Sequence, residues 1–229
     1  MPLQIRPAVE ADSDRIGWIG RDAFRDYSVS EAIFPPHLHH KSETGDIALD
    51  EATWRAARNL ARMREGKPTF VAVDVPEDGS EAEQIVAVAQ WDVPSPPTAA
   101  GEHGDAQKTG YYIQEPLPPS LDQDALFELY KAVEEETKKA LGPDGHSKMF
   151  YLMSLAVDPA QQRRGIGRKL MHHGLELASK AGMDVFLIAT PAGRGLYESL
   201  GFRPIGESFL LSDTPHYAML WRRPDAGSA

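Results

Sequence analysis

LAVDPAQQRRGIGRKL, Leu155–Leu170, carries Arg163, Arg164, Arg168 and Lys169 around a Gly165-Ile166-Gly167 turn, in a chain whose net charge is -10. The apolar run before it, from Met149 to Val157, reads as a strand. From Ile166 the spacing Ile166, Leu170, Gly174, Leu177, Ala178, Ala181 reads as a helix that closes at Gly182. A strand, a short loop and a glycine-opened helix aim unpaired backbone N–H groups at an anion, and the helix dipole adds to the attraction. No acid lies between Asp158 and Glu176, so the local field opposes the global one. A merely structural turn would waste both glycines, since Gly in a helix costs about 0.5 to 1 kcal/mol relative to Ala. Phosphate is the expected anion. A P-loop is excluded because no Lys-Ser/Thr pair follows the glycines. A dinucleotide fingerprint is excluded because Leu170 stands where a third glycine belongs.

Outward from this stretch, Leu3 to Pro7 reads as a first strand and residues 10–24 as a helix with Ile16, Ile19 and Ala23 on one face. Residues 28–49 read as irregular, with Asp50 capping a helix that ends before Gly66 and Pro68. TFVAVDV (69–75) and QIVAVAQWDV (84–93) form an antiparallel hairpin. Clustered prolines and glycines make 94–123 a long loop, followed by a helix over about 122–142. DVFLIAT (184–190) is a buried strand, PAGRGLYESLG (191–201) a helix and HYAMLW (216–221) a late strand.

At 229 residues with 41% hydrophobic content the chain can bury a substantial core. No stretch approaches the roughly 18 apolar residues of a membrane span, and the N-terminal residues lack a secretory h-region, so a cytoplasmic protein with no membrane partner is expected. The absence of cysteine removes disulfides, thiolate metal sites and a cysteine nucleophile. The acidic balance argues against nucleic acid and favours cationic acceptors, although bulk charge says little about a pocket.

Leu155, Val157, Pro159, Gln162, Gly165 and Gly167 resemble the acetyl-CoA signature of the GNAT acyltransferase superfamily, a strand ending L-x-V-x-P and then Q/R-x-x-G-x-G/A. LYESLGF, Leu196 to Phe202, resembles the family's L-Y-x-x-L-G-F segment at the usual distance downstream. The resemblance implies an α/β (α+β) fold with a mixed, mostly antiparallel central sheet, a splayed strand pair and flanking helices. It implies one such domain over 1–229, with a loop-plus-helix insertion at about 94–147. It further implies acetyl-CoA as co-substrate. The pantetheine would pair with the backbone of Leu155, Ala156 and Val157, and the pyrophosphate would lie over Gln162, Arg163, Arg164, Gly165, Ile166, Gly167 and Arg168. Thr190 stands near a position where many relatives have Asn.

The implied activity is acetyl transfer from acetyl-CoA to a primary amine, expected to be a small molecule, by direct attack in a ternary complex. A peptide lysine acceptor, or an acyl-CoA-binding sensor without turnover, are the alternatives. The amine must lose a proton and the departing thiolate must gain one. Tyr197 resembles the family's general acid, while Asp92 at a strand end is a candidate base. His37, His39 and His40 have no neighbouring carboxylate or thiol spacing to complete a metal site, so no metal is expected. Trp18, Phe24, Tyr27, Phe34, Trp54 and Trp91 are aromatic candidates for an acceptor pocket.

Overall fold

A computed structural model describes residues 3–75, 83–94, 116–145 and 148–224. Eight strands form its sheet: β1 (Leu3–Pro7), β2 (Thr69–Asp74), β3 (Gln84–Asp92), β4 (Phe150–Val157), β5 (Val185–Ala189), β6 (Arg203–Pro204), β7 (Phe209–Leu211) and β8 (Thr214–Trp221). Their order is β1-β2-β3-β4-β5-β8-β6, with β7 also on β8, and β4–β5 is the one parallel pair among the described strands. The helices are α1 (Ser13–Phe24), α2 (Ser28–Ile33), α3 (Ile47–Arg64), α4 (Gln123–Leu141), α5 (Ile166–Lys180) and α6 (Pro191–Ser199).

Period-two alternation divides the strands between two cores. Val71 and Val73 face α1, where they meet Ile16 and Ile19, while Ala72 between them faces the opposite side. That opposite side takes α5, whose Leu170, Met171 and Ala178 pack with Trp91, Leu152 and Leu187. Gly174 permits this close approach, because a Cβ there would sit 2.1 Å from Trp91 Cζ2. On the α1 side, α2, α3 and α4 share a third cluster built on Val29, Trp54, Leu126 and Tyr130.

The expected irregular stretch 28–49 is corrected in part: it contains α2, a 3-10 turn over Pro36–Lys41 and the start of α3. The expected cap is corrected as well. Asp46, in an extended conformation, accepts from Ala48 N at 2.9 Å and Leu49 N at 3.4 Å, so α3 begins one turn before Asp50. Asp50 is instead buried and accepts from the hydroxyls of Thr44 and Ser120, each at 2.6 Å. Most of the expected loop 94–123 lies outside the described residues.

What positions the site is the geometry of β4. Phe150, Tyr151 and Leu152 pair in register with Val185, Phe186 and Leu187, and the pairing stops there. Beyond it β4 follows β3, with a register shift between Gln90 and Trp91, while β5 follows β8 through Ala189. The two strands therefore diverge, and Met153 to Val157 present an edge that β5 does not cover.

Candidate active site

A cavity of about 1080 Å³ runs along this divergence, from the Gly165 turn past the exposed edge of β4 to the helices on the other side of the sheet. It exceeds the upper end of the usual range for one small ligand, about 1,000 Å³.

At one end, Gly165 opens α5 with φ 76°, a left-handed conformation that favours glycine, and no side chain caps the helix. No backbone acceptor among the described residues takes the N–H groups from Arg163 to Arg168. An added Cβ at Gly165 would meet nothing within 4 Å, so the space in front of the turn is open. Arg163 and Arg168 line the cavity. Arg168 donates to Ser199 Oγ at 2.8 Å, which ties α5 to α6. The Arg164 side chain, within the stretch expected under the pyrophosphate, faces elsewhere. Its guanidinium forks onto the buried carboxylate of Asp74 at 2.7 and 3.1 Å, away from the cavity, because an Asp buried at the end of β2 needs a counter-ion. The Gln162 side chain also serves the turn, donating to the Val157 carbonyl at 3.3 Å.

Leu155, Ala156 and Val157 line the middle of the cavity. Ala156 turns its methyl toward the α1 core. Leu155 and Val157 point the other way, toward Gly167, where a Cβ would lie 3.7 Å from each of them. Thr190 lines the same wall and caps α6, its Oγ1 accepting from Gly193 N at 3.2 Å. Tyr197 reaches in from α6. Its ring packs edge-on against Phe202 with centroids 5.8 Å apart, and its hydroxyl makes no hydrogen bond to a described residue. Burial raises the pKa of that hydroxyl well above the ordinary tyrosine value, so it stays protonated.

At the far end lie residues that carry chemistry but that no motif announced. His216 Nδ1 is 2.8 Å from the Thr214 carbonyl, which can only accept, so the proton sits on Nδ1. Burial lowers the imidazole pKa, leaving the ring neutral and its Nε2 lone pair free to accept from the Tyr27 hydroxyl. Tyr27 is itself desolvated, its pKa pushed up to about 12. These partners are 189 residues apart, and no local spacing could have paired them. On α3, Trp54, Arg55, Arg58 and Asn59 face the cavity at helical spacing. Tyr27 and Trp54 were aromatic candidates in the sequence, and the arginine stripe beside Trp54 was a further visible signal.

Asp92 does not join them. It is buried away from the cavity, accepting from Arg62 Nη2 at 3.0 Å with Lys67 at 3.4 Å, so the candidate base is a counter-ion for a buried arginine. His39 bonds the Phe34 carbonyl at 3.1 Å, and no described His, Asp or Glu cluster of metal-binding size forms around it. Phe24, Tyr27 and Trp54 line the cavity; Trp18, Phe34 and Trp91 do not. Among the described lining residues there is no Asp or Glu, whereas Arg55, Arg58, Arg163 and Arg168 are all present. The wall is therefore cationic within an acidic chain, which reverses the expectation drawn from bulk charge.

Residues 131–204, from within α4 through β6, match the model of the acetyltransferase (GNAT) domain. Over that stretch the chain is similar to GNAT acetyltransferase domains. An acetyltransferase of Stachybotrys chartarum is 31% identical over 156 residues, covering 65% of this chain; the chain spans 62% of that relative's length. In three dimensions the fold matches that of a histone acetyltransferase HPA2 and related acetyltransferase from Corynebacterium glutamicum, with TM-score 0.60, 21% identity and all of both chains covered. It also matches a mosquito arylalkylamine N-acetyltransferase like 5b, with TM-score 0.60 and 16% identity over 96% of this chain and 99% of that one. At those identities the likeness speaks for the fold. The mixed, mostly antiparallel sheet flanked by helices is a fold this chain has in common with these acetyltransferase structures. Among the described residues no helix is long and apolar enough to cross a membrane.

Proposed function

We propose that the chain is an N-acetyltransferase that takes its acetyl group from acetyl-CoA and passes it to a primary amine. The observation that carries this is one continuous cavity joining three things: the uncapped Gly165 turn, the unpaired edge of β4 and the free hydroxyl of Tyr197. Acetyl-CoA supplies the activated acyl group. The backbone N–H groups from Arg163 to Arg168, with the Arg163 and Arg168 side chains, hold its phosphates. The edge from Leu155 to Val157 receives its extended amides as an added strand would be received. Thr190 borders that channel.

Tyr197 donates its hydroxyl hydrogen toward the departing sulfur. Because burial makes the phenolate costly, the hydroxyl acts mainly as a hydrogen-bond donor to developing thiolate charge, and the proton that completes the thiol is the one the attacking nitrogen sheds as the C–S bond breaks. On the acceptor side Tyr27 and His216 form a relay. The Tyr27 oxygen takes a proton from the incoming ammonium and its own proton passes to His216 Nε2, while Nδ1–H stays on the Thr214 carbonyl. The result is an uncharged amine and an imidazolium held by a carbonyl.

Calorimetric titration with acetyl-CoA, paired with a free-thiol assay across a set of amines, tests the proposal. Saturable binding together with amine-dependent thiol release is expected. Binding without such release would make the chain an acyl-CoA sensor, and absence of binding would remove the cofactor site.

A further inference from the structure

Three arginines lie along one face of α3 at helical spacing, Arg55, Arg58 and Arg62, and two of them have carboxylate partners within the fold. Arg55 donates from Nε and Nη2 to Glu51 at 2.9 and 2.7 Å. Arg62 holds Asp92 at 3.0 Å. Arg58, between them, makes no hydrogen bond or ion pair with any described residue, and its Nε is buried without an acceptor. Its guanidinium is instead held by aromatic faces, 5.6 Å from the ring centres of both Trp54 and Tyr130. That stacking leaves the donor edge of the fork to the cavity it lines.

A half-buried guanidinium with unmet donors, in a wall with no described acid, is a receptor for an anion brought by the ligand. Arg163 and Arg168 already serve the Gly165 end of the cavity. Arg58 sits instead against Trp54 and Tyr130, in the apolar part of the same cavity that Leu126 also lines, where an acceptor body would lie. Resting on the transferase reading, we infer that the acceptor is an amine that also carries a carboxylate, on an apolar or aromatic body, and that Arg58 binds the carboxylate. The same positive wall disfavours polyamines and basic peptides. It also lowers the pKa of a bound ammonium and so assists its deprotonation.

The test uses the full chain saturated with CoA and two product probes that differ only in the carboxylate, N-acetyl-L-phenylalanine and N-acetyl-2-phenylethylamine, titrated by calorimetry. Charge-assisted hydrogen bonds predict that the carboxylate probe binds about 10- to 100-fold more tightly. Arg58→Met should bring the ratio to near one, and Arg58→Lys should retain part of it. A ratio near one in the parent chain, no binding of either probe, or a ratio that survives Arg58→Met overturns the inference. Thiol release from acetyl-CoA with L-phenylalanine and with 2-phenylethylamine reads the transferase proposal separately. Equal turnover of both amines sinks the carboxylate site alone. Carboxylate-dependent binding with no thiol release from either sinks the transferase reading and leaves the anion site standing.

Discussion

Tyr197 and His216 are both moved from their ordinary titration by desolvation, in opposite senses, and in each case burial preserves the neutral form. For Tyr197→Phe the ring and its contact with Phe202 remain, so the loss should appear in kcat, by about 10²-fold, while acetyl-CoA affinity stays nearly level. A folded mutant with full kcat would make Tyr197 a packing residue. For His216 the proposed relay needs the neutral ring. Because its folded pKa lies below the usual imidazole value, kcat/KM should hold as pH falls through 6.5 and decline only at lower pH. His216→Gln should lower kcat/KM and abolish that acid limb; a pH–rate profile unchanged in shape would sink the relay.

Among the elements, the junction of β4 with α5 contributes most to the proposed site. A left-handed residue at Gly165 turns the chain so that α5 starts with its N–H groups uncovered, and α5 is anchored behind by Leu170 and Met171 in the core. Gly165→Asp tests the element. The turn has open space, so the fold should tolerate the side chain apart from the cost of φ 76°, on the order of 1 kcal/mol. A carboxylate projecting where phosphate is to bind should reduce acetyl-CoA affinity by at least 10-fold, as read by calorimetry. Unchanged affinity in a folded mutant would displace the cofactor from this turn. The splay depends on a similar local fact: β5 keeps β8 on its far side through Ala189 and β4 keeps β3 on its own, so each strand stays anchored in the sheet while the edges facing the gap are left open.

For the whole molecule, a ligand bound only by the folded state stabilises it by RT ln(1 + [L]/Kd), about 2.7 kcal/mol at a hundredfold excess over Kd. Acetyl-CoA should therefore raise Tm by several degrees for a chain of 229 residues, and ATP or NAD at matched concentration by less. Equal shifts from ATP would mean that the pantetheine contributes nothing along β4. The charge distribution acts at this scale too. A net charge of -10 surrounds a cavity whose described charged lining is entirely arginine, so the long-range field and the pocket select differently.

Local chemistry was enough for the strands, the long helices and the glycine turn that opens α5. Alternating apolar residues, helical spacing and a Gly-x-Gly after a strand act over a few neighbours, and Leu155, Gly165 and Tyr197 line one cavity. Reading failed where a residue's partner is remote in the chain. Asp92 looked like a free strand-end acid until Arg62 was brought against it from α3, and Arg164 looked like a phosphate ligand until Asp74 claimed it. Asp50 looked like a cap although Asp46 was one turn nearer the start of α3. The Tyr27–His216 pair and the unpartnered Arg58 exist only because α1, α3, α4 and β8 converge on one cavity. Charge pairing and desolvation are decided by distances through space, and folding sets those distances independently of separation along the chain.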